Sequence, residues 1–326
     1  MKANLEQLVA RYYRPLVVEV SEEDDGKVVR NILERRLGVS RKLLSQVKLT
    51  EHGLTVNEER VYTTAKVSAG DVIRVRMERE ESEDILPQPI PIEIVFEDDD
   101  LLIVNKPSGI IVHPTHGHYT GTLANGVVHH WRERGERVRF RPIHRLDEET
   151  SGLVAIAKTS YVHQQLSEQL QAGTVTKLYR AYVYGVPQPE AGTIDEPIDR
   201  DIERPHLRVV TYTGYPSITH YEVLKSFNGE FDNVSGAAAV KLKLETGRTH
   251  QIRVHMRHIG CPLIGDKMYG MEERAQLEWE DTVGRHALHA ETLGFVHPIT
   301  GLRMEWHAQL PVELLKLEQL LDQVVE

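Results

Sequence analysis

Residues 81–92 read ESEDILPQPIPI, a run of acids followed by Pro87, Pro89 and Pro91. Alternate prolines fix φ and remove backbone donors, so this stretch must be extended and no helix can cross it. It divides the 326 residues into a leading segment (1–80), a linker (81–92) and a long trailing segment (93–326), enough for two domains. A linker of this composition is expected to let the leading segment swing.

The linker also explains the charge. The formal net charge of −10 seems to exclude a polyanionic partner. Residues 1–80, however, hold 15 Lys+Arg against 13 Asp+Glu, while residues 81–100 hold eight acids and no base. Local basic surface therefore remains available for nucleic acid. A 40% hydrophobic composition supports a real core. The apolar runs, such as LLIV at 101–104, are far too short to span a bilayer, and MKANLEQLVARYYRP lacks a signal-peptide core. A soluble, cytoplasmic protein is expected. The lone Cys261 excludes an intramolecular disulfide and a multi-cysteine zinc site, and reads as a buried structural thiol.

In the leading segment, VVRNILERRLG reads as a helix stopped by Gly38, and Ser40 caps a second helix, SRKLLSQVK. LTVNEE and GDVIRVRME read as strands. Between Lys27 and Lys48 lie seven bases (Lys27, Arg30, Arg35, Arg36, Arg41, Lys42 and Lys48) and one acid, Glu34. Two short helices so loaded can face phosphates, or can simply be solvated. The order of helix, SRK, VN turn and GD resembles the S-four-type RNA-binding domain, named after a small-subunit ribosomal protein. Glu58 stands where that family usually carries glycine.

The trailing segment alternates strand-like runs (IEIVF, LLIVNK, TVTKLYRAYVYG, ITHYEVLKSF, AAAVKLKLET) with few, irregular helices: TLANGVVHHWRERG, SYVHQQLSEQLQAG capped by Thr159, HQIRVHMRHIG opened by Thr249, and a last one from Pro311 with leucines on one face. This predicts an α+β fold with a mixed, mostly antiparallel sheet and peripheral helices.

Asp147 is the strongest chemical candidate. It lies in HRLDEETSGL, 144–153, between Arg145 and a Thr-Ser-Gly turn. The arginine can supply the counter-charge and the turn can hold the carboxylate still. No second acidic motif of equal quality exists, so single-carboxylate chemistry is expected. The plain alternative is a capping aspartate.

HRLDEETSGL resembles the signature of RluA-type pseudouridine synthases, which isomerise uridine in RNA. NKPSGIIVHP (105–114), TKLYRAYVYG (176–185), LETGRTHQIRVH (244–255), LIGDKMYG and HALHAETLGFVHPITG follow in the family's order, over roughly residues 93–310. The resemblance implies the pseudouridine synthase fold, with Asp147 as the catalytic carboxylate, Tyr179 as the ring that stacks on a flipped uracil and can move a proton, and Arg253 as the partner of Asp147. It implies that Arg145 fills the space the base vacates and that Ile252 supplies apolar surface beneath the base. Arg248 and His250 are expected to be backbone-binding or structural groups.

His113, His116 and His118 are close in sequence but lack the spacing of a convergent zinc site, and no phosphate-binding or dinucleotide loop is present. Neither metal nor cofactor is expected. The expected partner is RNA, first of all large-subunit ribosomal RNA and second transfer RNA, and the expected state is a monomer. Two rival classes remain: a glycoside or nucleoside hydrolase, which would need a second carboxylate across the bond, and a silent RNA-binding protein.

Overall fold

The computed structural model describes residues 8, 10–231, 234–270 and 278–323. The leading segment forms a four-stranded antiparallel sheet from β1 (Leu16–Glu19), β2 (Leu54–Val56), β3 (Glu59–Arg60) and β4 (Val72–Val75), in the order β1-β4-β2-β3. It is packed by α1 (Val29–Leu37) and α2 (Arg41–Val47). Gly38 stops α1 in the left-handed region (φ 62°), and the Ser40 hydroxyl accepts the Leu43 amide at the start of α2. Asn57 and Glu58 make the hairpin turn with both φ positive. Glu58 takes that conformation without being glycine, and its carboxylate bonds Arg74 and Arg76.

The trailing segment builds on a ten-stranded sheet. Its strands are β5 (Glu93–Glu97), β6 (Leu101–Lys106), β7 (Arg141–Pro142), β8 (Ser151–Ala157), β9 (Thr176–Tyr184), β10 (Ala191–Asp195), β13 (Ile218–Phe231), β14 (Val234–Leu244), β15 (Leu288–Val296) and β16 (Arg303–His307). A separate ribbon pairs β11 (Ile198–Arg200) with β12 (Arg208–Val210). The main path runs β10-β13-β14-β9-β15-β8-β6-β5, and every pairing is antiparallel except β8 with β15. Around it lie α3 (Leu123–Glu133), α4 (Ser160–Gln171), α5 (Gln251–His258), α6 (Glu278–Val283) and α7 (Val312–Gln323). Thr159 caps α4 as expected. On α7, Leu314, Leu317 and Leu321 are buried while Leu315 is exposed, so the buried stripe is narrower than the leucine pattern suggested. The residue before α5 is His250, in the left-handed region at φ 58°, so Thr249 lies outside the helix it was expected to open.

The expectation that the leading segment swings is not met. Ile85 of the linker is buried in the catalytic core, the Ser82 hydroxyl accepts the Phe140 amide at 2.8 Å, and Asn125 on α3 donates to the Leu86 carbonyl at 2.7 Å. The carbonyls left open at the end of α1 are taken by α4: Tyr161 donates to Leu37 O and Gln164 to Gly38 O. One buried set joins Ile32 and Leu33 of α1 to Leu101, Ile103 and Leu153 of the large sheet. The prolines make the linker extended, but its own apolar residues and those terminal carbonyls dock it. Among the described residues no helix is long and apolar enough to cross a membrane.

Candidate active site

Asp147 sits on the loop between β7 and β8, with its side chain 27% exposed toward a cavity of about 840 Å³, within the range of roughly 300–1,000 Å³ that small-molecule pockets take. The loop is clamped at successive residues. Asp147 O accepts the Thr150 amide at 3.1 Å, which closes the turn. Glu148 O accepts the Gly109 amide at 2.9 Å and the Lys106 ammonium at 3.0 Å. Arg285 donates to Glu149 O and to the Ser151 hydroxyl, both at 2.9 Å. Thr150 Oγ1 bonds His286 at 2.7 Å, and Ser151 Oγ bonds His289 at 2.9 Å. Gly152, at φ 119°, then enters β8 so close to β15 that a Cβ would lie 2.3 Å from the Ala290 carbonyl. Only glycine fits there without displacing backbone.

Lys106 is fully buried, and it also donates to Pro107 O (2.9 Å) and Ile110 O (2.8 Å). Burial, assisted by the charge of Arg285, pushes its ammonium down to about 7, against the opposing charges of Asp147 and Glu148. The NKPSG segment thus works as a clip on the neighbour of Asp147. Sequence reasoning quoted that segment without singling out Lys106.

The cation beside Asp147 is Arg253, on the buried face of α5, with Nη1 3.3 Å from Asp147 Oδ2. The other edge of the guanidinium is held by Asp266: Nε donates to Oδ2 at 2.7 Å and Nη2 to Oδ1 at 2.8 Å. Asp266 is wholly buried and also accepts the Met268 and Tyr269 amides. Burial works against the charge on Arg253, but Asp266 outweighs it and raises its pKa. The Tyr269 ring lies 4.9 Å under the guanidinium, and its hydroxyl bonds His250 Nδ1 at 2.8 Å. His250 Nε2 stands 3.9 Å from Asp147, so His250 belongs to the carboxylate's surroundings. Arg145, expected to neutralise Asp147, is exposed on the cavity wall and makes no ion pair or hydrogen bond among the described residues. Neighbours in sequence suggested that pairing; the fold supplies Arg253 from a different segment.

Tyr179 lies on the cavity-facing side of β9 and is 6% exposed, with Ile252, Leu244 and Leu288 completing an apolar wall. Burial, then the charge of Asp147, pushes its hydroxyl above the usual phenol range. Arg248 sits at the rim, 5.5 Å over the Tyr215 ring. Of the seven bases between Lys27 and Lys48, Lys27, Arg35 and Arg36 converge on the fully buried Asp24, and Arg41 faces Glu34 at 3.5 Å. Arg30, Lys42 and Lys48 have no side-chain partner among the described residues.

Asp98, Asp100 and His297 bring ligand atoms within 4.8 Å of one another, away from this cavity. His297 Nδ1 accepts the Ile299 and Thr300 amides at 3.2 Å, which leaves Nε2 to donate to Asp98 at 3.0 Å. With both ring nitrogens so engaged, the histidine offers no lone pair to a metal. His113 bonds the Pro114 carbonyl and packs on Phe140, while His116 bonds Tyr119.

A clamped loop presenting Asp147, a buried arginine aimed at it and an apolar wall carrying the Tyr179 ring make a site that can take a flat ring beside a carboxylate. Residues 100–258 match the family model described as RNA pseudouridylate synthase. The chain is 42% identical to an uncharacterized RNA pseudouridine synthase, YlyB, of Bacillus subtilis (strain 168), over 81% of this chain and 84% of the relative. It is 39% identical to ribosomal large subunit pseudouridine synthase D of Yersinia pestis, over 83% and 82%. Among solved structures it resembles human RNA Pseudouridylate Synthase Domain Containing 1, with a TM-score of 0.55 and 27% identity over 69% of this chain and 85% of that one. The chain belongs to the RNA pseudouridine synthase family, and it is an isomerase acting on RNA.

Proposed function

We propose that this enzyme converts uridine to pseudouridine in large-subunit ribosomal RNA, with Asp147 as the reacting carboxylate. The observation that carries the reading is Asp147, held by a clamped loop and facing Arg253 across a cavity lined also by Tyr179 and aliphatic side chains; of the other carboxylates lining it, Glu148 is exposed and Glu245 bonds His220. The likeness to synthase D of Yersinia pestis supports the ribosomal substrate. Transfer RNA is the second choice, left from the reading of the sequence.

The target base leaves its stack at a cost of a few kcal/mol and enters between Tyr179 and Ile252. Asp147 meets the electron-poor centre as the N1–C1′ bond breaks, by attack or as the counter-charge to a cationic sugar. Arg253, fixed by Asp266, keeps that carboxylate oriented. The uracil turns within the cavity, C5 bonds C1′, the C5 proton leaves and N1 ends with a proton, so atoms and charge balance without an oxidant or reductant. With its pKa raised, the Tyr179 hydroxyl stays protonated at neutral pH, and its contributions are the ring face and an O–H donor. Arg145 and Arg248 stand at the mouth, where a duplex or loop would lie. In the leading segment Arg30, Lys42 and Lys48 form the phosphate-facing surface, and the three bases around Asp24 brace the fold.

A hydrolase needs a second carboxylate across the bond. Glu148 adjoins Asp147 on the same loop and cannot straddle the bond, Glu149 is tied to His286 and Lys267, and Glu245 to His220. The test is pseudouridine mapping of large-subunit RNA incubated with the wild-type enzyme and with Asp147→Ala. Loss of the modified position in the variant is expected; retained modification refutes the assignment, and released free uracil supports the hydrolase.

A further inference from the structure

Two residues that line the cavity carry a donor with no partner among the described residues. Lys177 lies two residues before Tyr179 on the same face of β9, roughly 7 Å along the strand, and is 9% exposed. Its ammonium lines the cavity beside Gly247, where a Cβ would come within 3.8 Å of Nζ, and makes no hydrogen bond or ion pair among the described residues. The second donor belongs to His144. Its Nε2 accepts the Ala155 amide at 3.3 Å, so the proton resides on Nδ1, and Nδ1 is buried without a partner. The charge of Lys177 bears on the His144 ring, and burial pushes both groups toward their neutral forms.

Every carboxylate lining the cavity is engaged elsewhere or points to solvent. Asp147 faces Arg253, Glu245 bonds His220, and Glu148 is exposed. A desolvated cation next to an orphaned N–H donor is costly unless something with a negative oxygen arrives. RNA supplies one such group, its backbone phosphate. Lys177 stands one strand step along β9 from Tyr179, on the same face.

We propose that Lys177, set beside the buried His144 ring, is a phosphate receptor inside the uridine cavity, taking a non-bridging oxygen of the linkage next to the flipped nucleotide. The proposal rests on this cavity being the uridine site. Its consequence is that part of the energy of base flipping comes from a buried phosphate contact, which salt screens less than the contacts at the rim.

The test uses the full-length enzyme and a short synthetic RNA spanning the uridine that mapping assigns to it. The RNA is made unmodified, with a neutral methylphosphonate on the 5′ side of that uridine, or with one on the 3′ side. Wild type and Lys177→Met are compared by binding and single-turnover rate. Wild type is expected to lose about tenfold or more from one neutral linkage, as for a lost charge-assisted bond. Lys177→Met should show a similar loss on unmodified RNA and no further loss from that same linkage. Lys177→Arg should restore part of it. Lys177→Met should melt no lower than wild type, because it removes an uncompensated buried charge. Losses that multiply at both linkages overturn the proposal, as does a variant that matches wild type on unmodified RNA. Non-additivity with a 4-thiouridine target in place of a neutral linkage also overturns it, by assigning Lys177 to the base edge. If wild type fails on the mapped RNA, the functional reading falls instead.

Discussion

Asp147 and Asp266 flank one guanidinium, and the structure separates their duties. Asp266 is fully buried and holds Arg253 by two short bonds, at 2.7 and 2.8 Å. Asp147 is partly exposed and touches the same group once, at 3.3 Å. Removing one partner of a buried pair strands the other charge, at about 3–5 kcal/mol. Asp266→Ala is therefore expected to lose that much stability, roughly 5–15 °C in Tm. Arg253 would also lose its aim at Asp147, and a displacement of about 1 Å near reacting atoms costs on the order of a hundredfold in rate. Asp147→Ala leaves the buried pair intact and gives up one half-solvated contact worth about 1 kcal/mol or less. It should abolish pseudouridine formation while melting close to wild type. Thermal unfolding and single-turnover modification of the same preparations check both arms. If Asp147→Ala unfolds as readily as Asp266→Ala, or if Asp266→Ala keeps wild-type rate and stability, this division of labour is wrong.

Three further outcomes are expected. Burial alone would raise the pKa of Glu97, but bonds from Lys158, His130 and Trp131 outweigh it and hold the carboxyl down at about 2. A depressed folded pKa gives stability that is full above the unfolded value near 4.5 and lost as pH falls toward 2. Glu97→Gln should thus remove roughly 2–3 kcal/mol of the stability lost across that window, allowing for partial solvent screening, and so flatten the fall in Tm; parallel wild-type and variant profiles would contradict it. Gly152→Ala should cost several kcal/mol and much of the activity, since its Cβ would collide with β15 beside the Asp147 loop, and a normal melt would show that the strands part easily. Replacing Arg30, Lys42 and Lys48 by Gln should lower the slope of log affinity against log salt by about 2 at unchanged Tm. Lys27→Gln with Arg35→Gln should instead lower Tm, and equal salt slopes in the two variants would refute the distinction.

Much of this molecule was legible in its residues, for identifiable reasons. The caps at Gly38, Ser40 and Thr159, and the alternation in β9, β13 and β14, are local signals, and local signals survive folding. Asp147, Tyr179 and Arg253 were singled out because each sits in a dense motif, and the fold brings Asp147 and Arg253 into contact beside the cavity that Tyr179 lines. What escaped depends on chain reversal. Asp266 is thirteen residues beyond Arg253, and nothing in LIGDKMYG says which guanidinium it meets. Its signal was weak: an aspartate after a buried Leu-Ile-Gly, able to cap the Met268 and Tyr269 amides. Asp24 lies just outside the basic run it neutralises, so counting Lys27 to Lys48 overstated the free charge. The linker's prolines suggested freedom, whereas Ile85 and the terminal carbonyls of α1 decide its docking.

Arg145 shows why proximity in sequence is a poor guide to charge pairing here. Had it bound Asp147, the carboxylate would be satisfied by a flexible, exposed side chain from its own loop, and RNA would have to displace it. Arg253 avoids that competition because Asp266 has already fixed it, so its third edge can point at Asp147 without depending on the substrate. Arg145 is then left unpaired at the cavity wall, available to RNA. A single reacting carboxylate works when its counter-ion belongs to the scaffold. The clamps from Lys106, Arg285, His286 and His289 on the same loop serve that requirement, fixing the loop by its backbone and hydroxyls so that, in the proposed reaction, the aspartate's remaining oxygen is left to the uridine.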